Sequence, residues 1–579
     1  MLIEELCRFA EDRMELPPPG YRKQAIHYVI DIDASGTFQS INTTGIRGRS
    51  KEPSLELISP YLKRQGSKPP PVLFADLAGR TLGLTYREGK EDWCRERHVE
   101  YIRLVAECEA QTQERSVRAV GIFLESITVP GAWLPADFDT EGVLTFRVSD
   151  SFPMDLPAVR AFWAEKTGVE GDAVVEECAV CSQSRSIVRI HPLKIKGVVG
   201  GQLGGTDLIS ANKNAWWSYG LENSLIYPTC YECAWKYANA LNALLAGQDS
   251  HLRIAGVDYV FWTLEETGFD PIRFLSDPKP QEVAELLRAP FAGNQGAIDI
   301  GSAAFFALSV RGSGGRTCVR SWVSTTVGDA RSHLARYFAL QVIEDPYGAP
   351  GPPLALRSLT GATVRDPRKD DPPATIADSL MGLALAGNPL PDFVLARAVQ
   401  RCRASQGVSR ERAALIKMAL ASRNHWSDER THAMSGLDTG NQDPAYLCGR
   451  LLAELNEIQR QALGQTNATV IDKFYGSASS APASVFGNLL DNAQNHLSKL
   501  RKSREAAAIA LDARLMEIMD GLNEFPRTLT MPEQAMFALG FYHQRAADRR
   551  AARERKEARD AVRDAEDDPD TATPKTDAA

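Results

Sequence analysis

Residues 27–41 read HYVIDIDASGTFQSI, and the alternation in that run decides the character of the N-terminal half. Val29, Ile30 and Ile32 precede a polar turn at Asp33–Gly36, and Phe38 and Ile41 follow it, the pattern of a β-hairpin. Working outward, Leu2 to Met14 reads as a short helix closed by a Pro17–Gly20 breaker. Residues 90–128 lose the alternation and turn helical, and VLTFRVSD at 143–150 returns to strand before the helical DLPAVRAFWAEKTG.

The C-terminal part follows a different period. Leu447, Leu451, Leu455 and Ile458 share one helix face, and Leu489, Leu490, Ala493, Leu497 and Leu500 share another, so a helical bundle is expected. Its last core helix is expected to start at Thr530, with Glu533 completing a capping box and Met536, Phe537 and Phe541 inward. Between Glu344 and Asp378 seven prolines fix φ and remove backbone donors, so no regular element is expected there. The fold class is α+β: a mixed N-terminal and middle region, where two CxxC pairs (Cys178/Cys181 and Cys230/Cys233) point to a zinc-ribbon-like element, followed by an all-α bundle. The expected boundaries are 1–175 (N-terminal α+β domain), 176–343 (middle domain), 344–378 (Pro-rich linker), 379–433 (helical connector), 434–545 (bundle) and 546–579 (charged, disordered tail).

At 579 residues the chain exceeds one ordinary core, and its 44% hydrophobic and 24% charged residues are those of a core-forming protein. No apolar run is long enough for a bilayer, and the acidic N-terminus lacks the basic-then-apolar plan of a signal peptide. Ten cysteines are too few for a disulfide scaffold, which points to a reducing cytoplasm. A net charge of −8 argues against a surface that grips nucleic acid all over, but basic patches stand out locally. From Arg47 to Lys68 six basic residues (Arg47, Arg49, Lys51, Lys63, Arg64, Lys68) face two acids in a Gly/Ser/Pro-rich loop.

Cys178 and Cys181 form one CxxC, and after 48 residues Cys230 and Cys233 form another, the arrangement that presents four thiolates to one tetrahedral zinc. Four thiolates leave no open position for substrate, so the zinc is expected to be structural. The segment after Cys181 carries Arg185, Arg189, His191, Lys194 and Lys196 beside VVGGQLGG, which reads either as a phosphate-approaching loop or as a solvated turn. It fits neither a Walker loop nor a dinucleotide fingerprint. Hydrolase motifs are lacking: there is no G-x-S-x-G and no H-E-x-x-H, and Asp31 with Asp33 reads better as a strand end than as a metal pair. An enzyme is not expected; a zinc-containing nucleic-acid-processing enzyme is the alternative.

The order of motifs resembles one family, the large subunit of the type I-C CRISPR Cascade surveillance complex. The stretches that carry the resemblance are RIHPLKIKGV at 189–198, WWSYGLENS at 216–224, YANALNALLAG at 237–247, VRSW at 319–322, the run from 436 to 490 that opens GLDTGNQDPAYLCGRLL, NHLSKL at 495–500, and FPRTLTMPEQAMFALGFYHQR at 525–545. The chain departs from the usual pattern at Cys230 and Cys233 and in the Pro-rich segment. The resemblance implies a non-catalytic subunit in which protein reads a short motif in double-stranded DNA while guide RNA pairs with the target strand. It implies further partners: the backbone and guide-processing subunits, a recruited helicase-nuclease, and a small subunit made from an internal start at Met434 or, second, Met418. Candidate DNA contacts are then Arg47, Arg49, Lys63, Arg64, Gln65 and Lys68 for the motif duplex, with Lys194 and Lys196 beside the glycine loop. Lys473, next to Phe474 and Tyr475, and Lys499, Arg501 and Lys502 are candidates for tracking displaced single strand.

Overall fold

A computed structural model describes residues 1–44, 55–62, 69–85, 89–127, 133–168, 174–288 and 300–566, the last six without their side chains. It divides into two compact units, Met1–Leu245 with Gly312–Cys318, and Ala246–Arg311 with Val319–Ala579. The first mixes helix and strand and the second ends in a long helical region, the α+β class expected.

In the first unit, β1 (Tyr21–Ile26) pairs antiparallel with β4 (Leu55–Pro60). The expected hairpin is β2 (Tyr28–Ile32) with β3 (Phe38–Thr43), closed by Asp33, whose Oδ1 accepts the amides of Ser35 and Thr37. With β5 (Asp76–Leu77) and β6 (Val143–Val148) these strands form one sheet, ordered β3-β2-β6-β5. β2 and β6 run parallel, so the chain between them must cross over, and the helices Glu91–Thr112 and Arg115–Ser126 lie in that crossover. Ile30, Phe146, Tyr101, Val120 and Phe123 are buried together there. Asp31 and Asp33 are not metal ligands in waiting. Asp31 takes two bonds from Arg147 (2.6 and 3.0 Å) and one each from Ser40 and Asn42, and Arg147 holds its carboxyl below the usual range.

The second unit carries most of a sheet of β9 (His251–Ile254), β10 (Val257–Thr263), β11 (Ala304–Ser313) and β12 (Arg316–Thr326), ordered β12-β11-β10-β9, the β11–β12 turn at Gly312–Cys318 being counted with the first unit. Its core runs without interruption from Ile254 to Tyr542, through the sheet, the Val327–Gln341 helix and the helices beyond. At the centre the Pro444–Leu463 and Met531–Glu566 helices approach so closely that a Cβ on Gly449 would meet the Phe537 carbonyl oxygen at 2.1 Å, and one on Gly540 that of Tyr446 at 2.1 Å. The Glu533 half of the expected capping box is present: its carboxylate accepts the amide (2.6 Å) and hydroxyl (2.7 Å) of Thr530. No described helix is long and apolar enough to cross a membrane.

Two expectations are corrected. The Pro-rich 344–378 segment holds a helix at Leu356–Gly361 and the start of another at Ala374–Ala386, and Leu354, Leu356 and Leu359 belong to the core. Its prolines fall outside these helices, and Pro373 is the N-cap of the second, where a missing donor costs nothing. The charged tail is not disordered from Ala546: the last helix continues to Glu566. Alanine, arginine and glutamate are strong helix formers, and Arg550 ties the helix to Glu344 (3.0 Å) and to the Gly348 carbonyl (3.1 Å).

Candidate metal centre and nucleic-acid interface

Both CxxC pairs sit where the backbone turns thiols toward one point. Cys178 and Cys181 lie in the turn between β7 (Val175–Glu177) and β8 (Ser184–Ser186), two short strands paired antiparallel. Cys230 immediately precedes the Tyr231–Ala246 helix and Cys233 lies in its first turn. All four Sγ atoms lie within 4.8 Å of one another, with Cys181 and Cys230 4.0 Å apart. Tetrahedral zinc at Zn–S distances of about 2.3 Å needs S–S edges of about 3.8 Å, so the cage fits the ion with sub-ångström adjustment. The Cys230 amide donates to Cys178 Sγ at 3.3 Å, the kind of bond that stabilises a metal-bound thiolate.

Without a cation these sulfurs favour the thiol. Burial pushes the Cys181 thiol up, and the neighbouring Cys233 thiol followed by burial pushes Cys230 up. A bound divalent cation reverses that preference, and the helix N-terminus beneath Cys230 and Cys233 assists it. The zinc would supply a cross-link between hairpin and helix, since four protein ligands close the coordination shell. Sequence reading missed Cys7, buried on the Leu2–Arg13 helix, whose Sγ donates to the Cys233 carbonyl at 3.5 Å. Only the fold brings position 7 to position 233.

The basic candidates divide by place. Arg47, Arg49, Lys63, Arg64, Gln65 and Lys68 lie outside the described residues. Lys194 is half-buried and Lys196 exposed, with Asn242 pinning the segment through the Lys196 amide (2.8 Å) and the Lys194 carbonyl (3.0 Å). The glycine-rich loop beside them is packed at Gly201 and Gly205 and exposed at its tip, Gln202–Gly204. The amides of Gly201, Gln202 and Gly205 donate to Val198, Gly314 and Gln202, and a Cβ on Gly312 would stand 2.2 Å from the Gly201 nitrogen. Gly201 lets two backbones touch, and the amides of Gly201 and Gly205 are taken up within the chain, while Gly200 and Gly204 are exposed. His191 is buried against Tyr237 rather than displayed.

In the helical region Lys473 is exposed on the Val470–Ala478 helix, while Tyr475 is core, edge-on to Phe537 and Phe541. Lys499, Arg501 and Lys502 are exposed on the last turns of the Phe486–Ser503 helix, Arg501 pairing with Asp512 at 2.6 Å.

The fold and site define a mixed α/β protein with a long helical C-terminal region and a closed thiolate cluster suited to bracing structure. Comparison with family models is more specific: the CRISPR-associated Cas_Csd1 model matches residues 2–548, so the chain belongs to that family. It is accordingly a Cascade component, in agreement with the type I-C large-subunit resemblance. No curated protein matches the chain.

Proposed function

We propose that the chain is the non-catalytic large subunit of a guide-RNA-directed surveillance complex. In this reading it recognises a short motif beside the target in double-stranded DNA, promotes strand opening and offers a docking point for a helicase-nuclease. The observation that carries the reading is the family match over nearly the whole chain. A closed thiolate cluster and exposed cations at Lys196, Lys473, Lys499 and Lys502 are compatible with binding rather than turnover.

Zinc at Cys178, Cys181, Cys230 and Cys233 holds the middle of the first unit together in this account, and Arg47–Lys68 reaches the motif. In the same reading residues 1–175 read the motif, and the helical region from 434 through the last helix matches the small subunit. The test is duplex opening by the complex assembled with guide RNA, followed with 2-aminopurine next to the motif. Fluorescence should rise only when the full-length chain is present; an equal rise without it contradicts the proposal.

A further inference from the structure

The loop from Asn212 to Leu221 is exposed at every residue, although it contains two tryptophans and a tyrosine. It is a built projection. Its neck is closed by reciprocal bonds between Ala211 and Asn223, both 2.9 Å, with Ala211 fully buried. Trp217 Nε1 donates to the Ala211 carbonyl at 3.0 Å. The tip is a tight turn, Leu221 N–H to Ser218 O at 2.9 Å, with φ of 53° at Tyr219 and 75° at Gly220, the both-positive pattern of a type I′ turn. A tyrosine there is strained, since Asn, Asp or Gly suits the position, and its side chain is fully exposed. The aromatic ring therefore costs stability and gains nothing from packing within the chain.

Cations accompany the rings. The Arg316 guanidinium lies 3.2 Å from the centroid of Trp216 and bonds Asn212 Oδ1 at 2.9 Å, and Lys213 Nζ lies 5.3 Å from the same ring. Arg316 is brought there by backbone pairing of Asp207 with Gly315 and Thr317. Among the described residues no carboxylate forms an ion pair with Lys213 or Arg316, while nearby Glu222 is taken up by Arg189 at 2.9 Å. Exposed aromatic faces interleaved with uncompensated cations are what a strand of unpaired nucleotides recognises, bases on rings and phosphates on cations.

We propose that the Ala211–Asn223 loop, with Arg316, is a stacking platform for unpaired nucleotides. Tyr219 and Trp217 offer ring faces, and Arg316 and Lys213 hold the backbone. The inference rests on the proposed DNA-opening role and assigns part of the exposed strand to this loop.

Tyr219→Gly is the decisive variant, because glycine relieves the positive φ and removes only the ring. The full chain should bind a labelled oligothymidylate of roughly fifteen nucleotides about five-fold or more weaker after Y219G, with duplex affinity unchanged and Tm equal or higher. Arg316→Gln should lower the salt dependence of the same binding. Unchanged strand affinity in Y219G overturns the proposal. So does a variant that binds strand normally and fails only to co-assemble with its Cascade subunits, which makes the loop a protein-docking surface. If wild-type complexes open duplex while Y219G binds strand normally, this inference alone fails. If wild-type complexes bind no target, the functional reading fails instead.

Discussion

The amide of Cys230 donates to the sulfur of Cys178 at 3.3 Å, joining the two CxxC pairs across 52 positions of sequence before any metal is considered. The bond sets hairpin and helix in register for a shared ion.

Fresh protein should contain one zinc per chain by elemental analysis. Cys178→Ser combined with Cys230→Ser should release it and leave residues around 174–233 more open to proteolysis. Absence of stoichiometric zinc from freshly purified wild type contradicts the assignment.

Glycine has opposite value at two helical positions. Gly540→Ala forces a methyl onto the Tyr446 carbonyl and should destabilise by about 1–3 kcal/mol or more. Gly476→Ala meets nothing within 4 Å and should stabilise by about 0.5–1 kcal/mol through helix propensity. Denaturant midpoints check both, and equal shifts contradict the close helix crossing.

Two buried ionisable groups give opposite pH slopes. Burial, with Asp548 adding and Arg514 opposing, pushes Glu454 up to about 7, so the folded chain holds a proton the unfolded chain releases near 4.5. Its contribution to stability therefore falls as pH rises through that window and is flat above it. Burial pushes Lys417 down to about 7, while its ammonium donates to the Val342 carbonyl (2.6 Å) and Ser435 (2.8 Å). The folded chain loses that proton first, so stability rises between pH 7 and about 10.5. Thermal scans should show the falling slope removed by Glu454→Gln and the rising slope removed by Lys417→Met.

The proposed internal start has a structural consequence. Met434 is buried at the end of the Asp428–Ala433 helix, and the Pro444–Leu463 and Met531–Glu566 helices share one core with the helices before it. A product beginning at Met434 would expose that shared face and so needs a partner surface to cover it. Met434→Leu should abolish a product of about 15 kDa, by ordinary residue masses, while preserving full-length chain. Persistence of the product on immunoblots places the start elsewhere.

Local signals made several elements readable. The β2–β3 hairpin, the strand at 143–148 and the Thr530–Glu533 box each declare themselves within a few residues. The four cysteines were readable because ligand spacing survives a long insert. Parallel pairing of Ile30 with Phe146, or the placing of Arg316 over the Trp216 ring, depends on contacts about a hundred residues apart that no local period encodes. The prolines misled because proline density was read as excluding regular elements without asking where each ring falls relative to a helix start. The tail misled because helix formers without large apolar residues still hold a helix when arginines such as Arg550 find carboxylates and carbonyls.

The most direct test of motif recognition is duplex binding by the complex assembled with its guide RNA and neighbouring subunits, comparing intact and scrambled flanking motifs at one fixed salt concentration. The account predicts a loss of about tenfold or more on scrambling, roughly 1.4 kcal/mol, that disappears when Gln65 and Lys68 are replaced by alanine. Equal affinity for both duplexes in the wild-type complex would contradict it.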